Sequence, residues 1–290
     1  VYRHRHFLAQ IQMLREAFDL EPGGVDLPTF PPFALFDPAL GLSSIIPDMD
    51  PTRPARASPR RLHKAIAEFG VTQLFGSPAL MAVLAKYGQP LKGVKRLTSA
   101  GAPVPPEVVA RLRELMDPDA QLWTPYGATE CLPVAVIEAR ELESTRELTE
   151  RGAGTCVGRP VPRNRVRIIP ISDGAIPDWS EGLELPTGQL GEITVSGPSA
   201  TDAYFRRPEA TVLSKIRETG SDGLERIVHR MGDLGWFDAE GRLWFCGRKS
   251  QRVLTAMGGL YTEQVEPVFN THPRVRRTAL VGVGERGKQT

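Results

Sequence analysis

One short run of the chain, Trp123-Thr124-Pro125-Tyr126-Gly127-Ala128-Thr129-Glu130-Cys131, gathers groups that together could handle a nucleotide. The Tyr126 ring can stack on a flat base, and Gly127 lets backbone come close to a ligand. The Thr129 hydroxyl can donate to a phosphate oxygen, and the Glu130 carboxylate is a hard oxygen ligand of the kind magnesium takes. Alone, the run reads as readily as a core aromatic followed by a surface helix cap. Asp233, in Gly232-Asp233-Leu234-Gly235, is by itself a turn residue, although a carboxylate is also a natural bidentate acceptor for a diol. Cys131 has no His/Asp partners at a nucleophile's spacing, and reads as a buried structural thiol. Arg3-His4-Arg5-His6 could touch phosphates but reads as a solvated helix start. The basic connector Gly247-Arg248-Lys249-Ser250-Gln251-Arg252 lacks the interleaved aromatics of a nucleic-acid surface.

These groups need a scaffold, and the surrounding pattern supplies one. Phe7, Ile11, Leu14 and Phe18 share a helical face, so a helix is predicted over about 3–19, stopped by Gly23-Gly24. The proline-rich stretch Thr29 to Phe36 reads as a strand end entering a loop. Ser58 and Pro59 open a helix with Leu62, Ile66 and Phe69 on its buried face, and Ser77-Pro78 open another that ends near Gly88. A helix is predicted over Pro106 to Met116, and strands over Val71–Phe75, Arg96–Ser99 and Gln121–Trp123. Strands alternating with helices imply an α/β fold with a parallel sheet layered with helices. In such sheets ligands bind beyond the carboxyl ends of strands, where Ser99 to Pro103 and Tyr126 to Glu130 both fall. From about residue 154 short β-like segments follow (Val166–Ile169, Gln189–Val195, Leu234–Phe237, Leu243–Cys246), which predict a β-rich subdomain in the form of a distorted barrel. A strand at Val253–Thr255, a helix at Glu263–Thr271 and a strand at Thr278–Val283 then begin a small, partial α+β domain. The expected domains are therefore 1–153, 154–250 and 251–290.

Composition narrows the classes. A hydrophobic content of 41% with 24% charged residues is that of a soluble globular protein, and a net charge of +2 gives no global steering towards nucleic acid. No apolar run approaches a membrane span. Three widely spaced cysteines argue against a disulfide framework or zinc site and fit a reducing cytoplasm. The first residues lack an initiator methionine and resemble no signal peptide, so the chain reads as starting inside a longer protein.

Six stretches stand in one order: Ser99 to Pro103, Tyr126 to Glu130, Gly191 to Pro198, Tyr204-Phe205-Arg206-Arg207-Pro208-Glu209-Ala210-Thr211, Arg230 to Gly235, and Gly247-Arg248 leading to Glu263-Gln264-Val265-Glu266. Together they resemble the AMP-forming adenylating superfamily of acyl-CoA synthetases, fatty acyl-AMP ligases, luciferases and peptide-synthetase adenylation domains. The resemblance implies ATP as substrate and Mg²⁺ as cofactor. It implies that Gly101, Ala102 and Pro103 line the adenine pocket, with Tyr126 stacked on the base beside Gly127. Thr129 would bond the α-phosphate, Glu130 would hold Mg²⁺, and Asp233 and Arg248 would reach the ribose. Ser250 stands at the family's hinge, where Asp or Lys is commoner. The phosphate loop is expected before Val1 and the catalytic lysine beyond Thr290.

Within the superfamily, Phe33 to Gly41, Ile46-Pro47-Asp48-Met49-Asp50 and His229 to Phe237 are most similar to the olefin β-lactone synthetases of bacterial hydrocarbon synthesis. This implies a 2-alkyl-3-hydroxy fatty acid substrate, adenylation, and closure by the substrate's own hydroxyl, with other enzymes of the pathway as partners. Two departures from the acyl-CoA ligases agree: Ala34 or Leu35 stands where many have His, and Met257 where a Gly commonly admits the pantetheine arm. A long-chain acyl-CoA synthetase, a fatty acyl-AMP ligase and a non-catalytic nucleotide-binding module are the alternatives. Phe30, Phe33 and Phe36 read equally as an acyl channel or as core packing.

Overall fold

Proline and serine punctuate the first half of the chain, and the helices that start at Asp37, Pro59, Pro78 and Pro106 each begin at or beside one of them. The computed structural model describes residues 1–290 and divides them into two compact units. Gln10–Gly127 with Val136–Glu143 form the first, and Val1–Ala9, Ala128–Ala135 and Ser144–Thr290 the second. The chain opens with α1 (His4–Phe18), β1 (Val25–Pro28), a 3-10 turn at Pro31–Leu35, α2 (Asp37–Leu40) and β2 (Ser43–Ser44). It continues through α3 (Pro59–Phe69), β3 (Gln73–Gly76), α4 (Pro78–Tyr87), β4 (Arg96–Ser99), α5 (Pro106–Leu115) and β5 (Gln121–Ala128). Ser77 caps α4 by accepting from the Leu80 amide, whereas Ser58 stands at the α3 cap position without a side-chain bond. Gly70 and Gly88 close these two helices in the left-handed conformation.

The first unit is an α/β layer. Its strands run parallel in the order β2-β1-β3-β4-β5. Leu27, Leu74, Leu97 and Leu122, one each from β1, β3, β4 and β5, pack with Leu62 and Ile66 of α3, Leu80, Met81 and Leu84 of α4, and Val109 and Leu112 of α5. The βαβ crossovers cover the sheet with helices, and each of these short strands places a fully buried leucine in that core while alternate positions such as Gln73, Arg96 and Gln121 stay half-buried.

Thr129 and Glu130 form the turn into β6 (Cys131–Glu138), which is followed by α6 (Ala139–Ser144), α7 (Arg146–Glu150), β7 (Thr155–Pro160), β8 (Arg165–Ile169) and β9 (Gly191–Ser196). Then come α8 (Pro208–Ser214), β10 (Lys215–Thr219), β11 (Glu225–Phe237), β12 (Leu243–Arg248), β13 (Val253–Thr255), β14 (Gly258–Leu260) and α9 (Thr262–Asn270). In the second unit β7, β12, β11, β9 and β8 form one antiparallel ladder, and β10 pairs with β11.

Five expectations are corrected. Phe69, at the last position of α3, is 48% exposed rather than on the buried face with Leu62 and Ile66. The β-rich part is an open antiparallel sheet rather than a barrel, because the ladder runs from β7 to β8 without closing. Strand structure continues through the Tyr126 motif to Ala128 and resumes at Cys131, where no strand was expected. Thr278–Val283 is not a strand: the Thr278 amide donates to Asn270 Oδ1 and the Leu280 amide to Glu266 Oε1, so α9 side chains take the donors a neighbouring strand would need. Finally, the helix start is not freely solvated. His6 is buried, and Arg5 bonds Asp202.

Candidate functional site

Each unit presents part of the constellation. In the first, β4 and β5 lie side by side with Thr98 opposite Trp123, so the two strands end on the same edge of the sheet. Beyond Ser99 the chain turns through Gly101, Ala102 and Pro103, all exposed. Gly101 has φ +103° with open space where a Cβ would stand, so it is the backbone conformation, not crowding, that calls for glycine. Ser99 Oγ is buried at this edge with no hydrogen-bond partner, a group that a ligand or water would satisfy. β5 pairs with β4 only over Gln121–Trp123, and its continuation carries half-buried Tyr126 and exposed Gly127. The sequence-predicted base-binding residues therefore cluster at the carboxyl ends of adjacent strands.

At the ends of β1 and β3, Phe33 stacks on Phe75 with centroids 4.2 Å apart and lies 5.8 Å from Phe30 and 6.1 Å from Phe36. The cluster is packed at its centre and open at Phe30, which is 48% exposed.

In the second unit Thr129 is exposed and Glu130 half-buried on their turn. The Tyr204 hydroxyl donates to Glu130 Oε1 at 2.6 Å, and the Thr201 amide donates to the Glu130 carbonyl at 2.8 Å. Burial on its own raises the Glu130 pKa. The Tyr204 bond, a bond from its own backbone and the nearby His229 and Lys215 outweigh it, so the carboxyl sits below its ordinary value and is ionised. Lys215 is buried and pushed down to about 8 by desolvation, against the opposing pull of Glu130. His229, buried beside Lys215, is pushed down to about 4 and is neutral at pH 7, with Nδ1 3.2 Å from the Ser214 carbonyl.

No three His, Cys, Asp or Glu side chains approach closely enough to cage a metal. A lone carboxylate of this kind still fits Mg²⁺, which keeps several waters and takes the rest of its oxygens from phosphates. The Tyr204 bond engages Oε1 alone, and a carboxylate has further lone pairs to offer.

Asp233 and Arg248 stand opposite each other on β11 and β12, with Arg248 Nη1 3.0 Å from Asp233 Oδ1. Asp233 is buried and Arg248 exposed, so the aspartate is held while the arginine head reaches solvent. Gly247, next to Arg248 on β12 and paired with Leu234, has φ +126°, and a Cβ there would stand 2.3 Å from Thr262 Oγ1. Ser250 is exposed on a 3-10 turn, Lys249–Gln251, with anchored neighbours. Lys249 Nζ bonds Glu192 Oε1 at 2.8 Å, and Arg252 bonds Asp173 at 2.6 Å. Met257 is fully exposed at the tip of the β13–β14 hairpin. Cys131 is buried against Ser199 Oγ at 3.4 Å, with its thiol pushed up to about 11 by desolvation, and all three cysteines are free.

Sequence reasoning assigned no role to Lys215 or His229. Tyr204 stood in a quoted motif, but its partner lies 74 positions away, a separation no local pattern reveals.

The sequence signature of the AMP-binding enzyme family matches residues 39–205. The chain is 71% identical over 289 residues to the olefin β-lactone synthetases of Xanthomonas campestris pv. campestris and Stenotrophomonas maltophilia, covering 100% of this chain and 52% of each of them. It thus spans about half the length of the curated relatives it matches. Among solved structures it is similar to the amide bond synthetase McbA from Marinactinospora thermotolerans, with TM-score 0.75 and 26% identity, over 97% of this chain and 53% of that one.

Proposed function

The chain belongs to the AMP-binding enzyme family, and we propose that it is part of a synthetase that activates a 2-alkyl-3-hydroxy fatty acid with ATP and closes it to a β-lactone. The observation that carries this reading is the 71% identity, over the whole chain, to two proteins named olefin β-lactone synthetase. In the first half-reaction a substrate carboxylate oxygen attacks the α-phosphorus of ATP and pyrophosphate leaves. In the second, the 3-hydroxyl oxygen attacks the acyl carbon, its proton is lost, and AMP departs with the electrons of the acyl–oxygen bond. The ring is strained, but the nucleophile is already tethered to its target, and the acyl phosphate has a good leaving group.

The residues take distinct parts in this scheme. Gly101, Ala102 and Pro103 line the adenine, Tyr126 stacks on it, and Gly127 leaves room for backbone approach. Thr129 bonds the α-phosphate and Glu130 holds Mg²⁺. When bound, Mg²⁺ offsets the charge that two anions bring together. Asp233 accepts from the ribose hydroxyls, with Arg248 on the same sugar. Ser250 serves as the pivot between the large domain and the lid that begins at about residue 251. The open aromatic cluster at Phe30, Phe33 and Phe75 offers apolar surface to an alkyl chain. A fully exposed Met257, where a CoA ligase carries glycine, disfavours a pantetheine arm. No helix is long and apolar enough to cross a membrane, and we place the enzyme in the cytoplasm alongside others that supply its hydroxy acid.

The full-length protein, given ATP, Mg²⁺ and a 2-alkyl-3-hydroxy acid with and without CoA, tests this. A β-lactone formed equally in both reactions is expected. A thioester formed only with CoA would make it an acyl-CoA synthetase, and nucleotide binding without any product would make it a binding module.

A further inference from the structure

Glu130 stands on a two-residue turn, where a free side chain would sample several rotamers. It is instead gripped from behind by groups remote in sequence. Tyr204 donates to Oε1 at 2.6 Å, and Thr201 donates its amide to the Glu130 carbonyl at 2.8 Å. Thr201 is tied down in turn: Lys215 Nζ donates to its carbonyl and, at 3.3 Å, to its hydroxyl. The same ammonium lies 5.8 Å from the centre of the Tyr204 ring. Lys215 is 6% exposed, and among acidic groups Glu130 acts on it most strongly. A buried ammonium is costly unless something nearby offsets it. Here two oxygens of Thr201, the Tyr204 ring and the field of Glu130 do so, with smaller contributions from Cys131 and Asp202.

We infer that Tyr204 and Lys215 are positioning residues for Glu130, fixing its carboxylate so that the adenylation site takes the metal together with ATP. The inference rests on the proposed role of Glu130 in holding magnesium. Magnesium tolerates little departure from octahedral geometry, so a carboxylate oriented beforehand binds it better than a mobile one. Outer-shell partners of this kind commonly change metal affinity by about 10–100-fold when removed.

The test uses the full-length protein with Tyr204→Phe and Lys215→Met. Mn²⁺ replaces Mg²⁺ as a spin probe, and the free-ion electron paramagnetic resonance signal is followed as protein is titrated in the presence of ATP. Calorimetric binding of AMP without divalent metal reports on the nucleotide pocket and on folding. The wild-type titration comes first, because absence of an ATP-dependent Mn²⁺ site there would refute the adenylation reading itself. Given that site, Tyr204→Phe should weaken Mn²⁺ binding by about 10–100-fold while metal-free AMP affinity stays at the wild-type value. Lys215→Met should act in the same direction, and the double variant should lose less than the product of the two single losses, because both act through one carboxylate. Unchanged Mn²⁺ affinity in Tyr204→Phe overturns the inference. So does equal loss of AMP and Mn²⁺ binding in that variant, which would make the tyrosine a general structural support. If Lys215→Met fails to fold, Tyr204→Phe, which removes a single oxygen, decides alone.

Discussion

Asp26 on β1 and Asp37 at the start of α2 form a buried carboxyl pair, and their titration contributes a distinct part of how stability depends on pH. Burial, then the neighbouring Asp37, raise Asp26 from 3.8 to about 7, with the two side chains hydrogen-bonded; Asp37 is itself raised by burial and also accepts from Ser44. The folded chain therefore keeps a proton that the unfolded chain has already released. Stability from this group is fully present below about pH 4 and is lost as pH rises, until the folded carboxyl ionises near pH 7. From pH 5 the folded Asp26 holds close to one proton more than the unfolded chain, falling to about half a proton at pH 7, so stability falls by up to about 1.4 kcal/mol per pH unit, or about 2 kcal/mol over that interval. Asp26→Asn keeps a neutral donor towards Asp37 and removes the ionisation. Urea unfolding of the full-length protein and of Asp26→Asn, from pH 5 to pH 8, reads the effect as the difference between the two. The variant should gain on the wild type steadily up to about pH 7 and level off above it. Carboxyls held low by arginines, such as Asp173 and Asp202, titrate alike in both proteins and cancel. Parallel stability curves for the two proteins would refute the shared proton.

Other consequences follow from single contacts. Glu130→Gln should lower ATP–pyrophosphate exchange by about 10²–10³-fold, in line with loss of one charged group from a polar transition state, while metal-free AMP binding measured by calorimetry is retained. Gly247→Ala, placing a methyl group 2.3 Å from Thr262 Oγ1 at φ +126°, should cost at least about 2 kcal/mol in urea unfolding. The 290-residue chain, which spans about half the length of its curated relatives, should show far less pyrophosphate exchange than the full-length protein. Exchange at the full-length rate would contradict that expectation.

Much of this arrangement was legible because local chemistry and fold agreed. Arg96–Ser99 is a strand within its expected bounds, and Ser77-Pro78 and Gly88 bracket α4, since a capping hydroxyl and a left-handed glycine act on the residues beside them. The motif around Tyr126 misled in its secondary structure, because Pro125 and Gly127 are poor strand formers that the sheet nevertheless keeps extended. Thr278–Val283 misled in the other direction: its apolar run suits a strand, but its amide donors were already taken by Asn270 and Glu266. The grip of Tyr204 and Lys215 on Glu130 could not be read from sequence at all. It depends on β10 pairing with β11 and on the Thr201 amide meeting the Glu130 turn, which are tertiary facts.

The central claim is that a substrate carboxylate, activated as its adenylate, is captured by its own hydroxyl. Oxygen labelling tests it most directly. The full-length protein is supplied with ATP, Mg²⁺ and a 2-alkyl-3-hydroxy acid carrying ¹⁸O in both carboxylate oxygens, and the products are weighed by mass spectrometry. Attack on the α-phosphorus followed by lactone closure leaves one heavy oxygen in AMP and one in the lactone carbonyl, with an unlabelled ring oxygen from the hydroxyl. Unlabelled AMP, or label appearing in pyrophosphate, would contradict it.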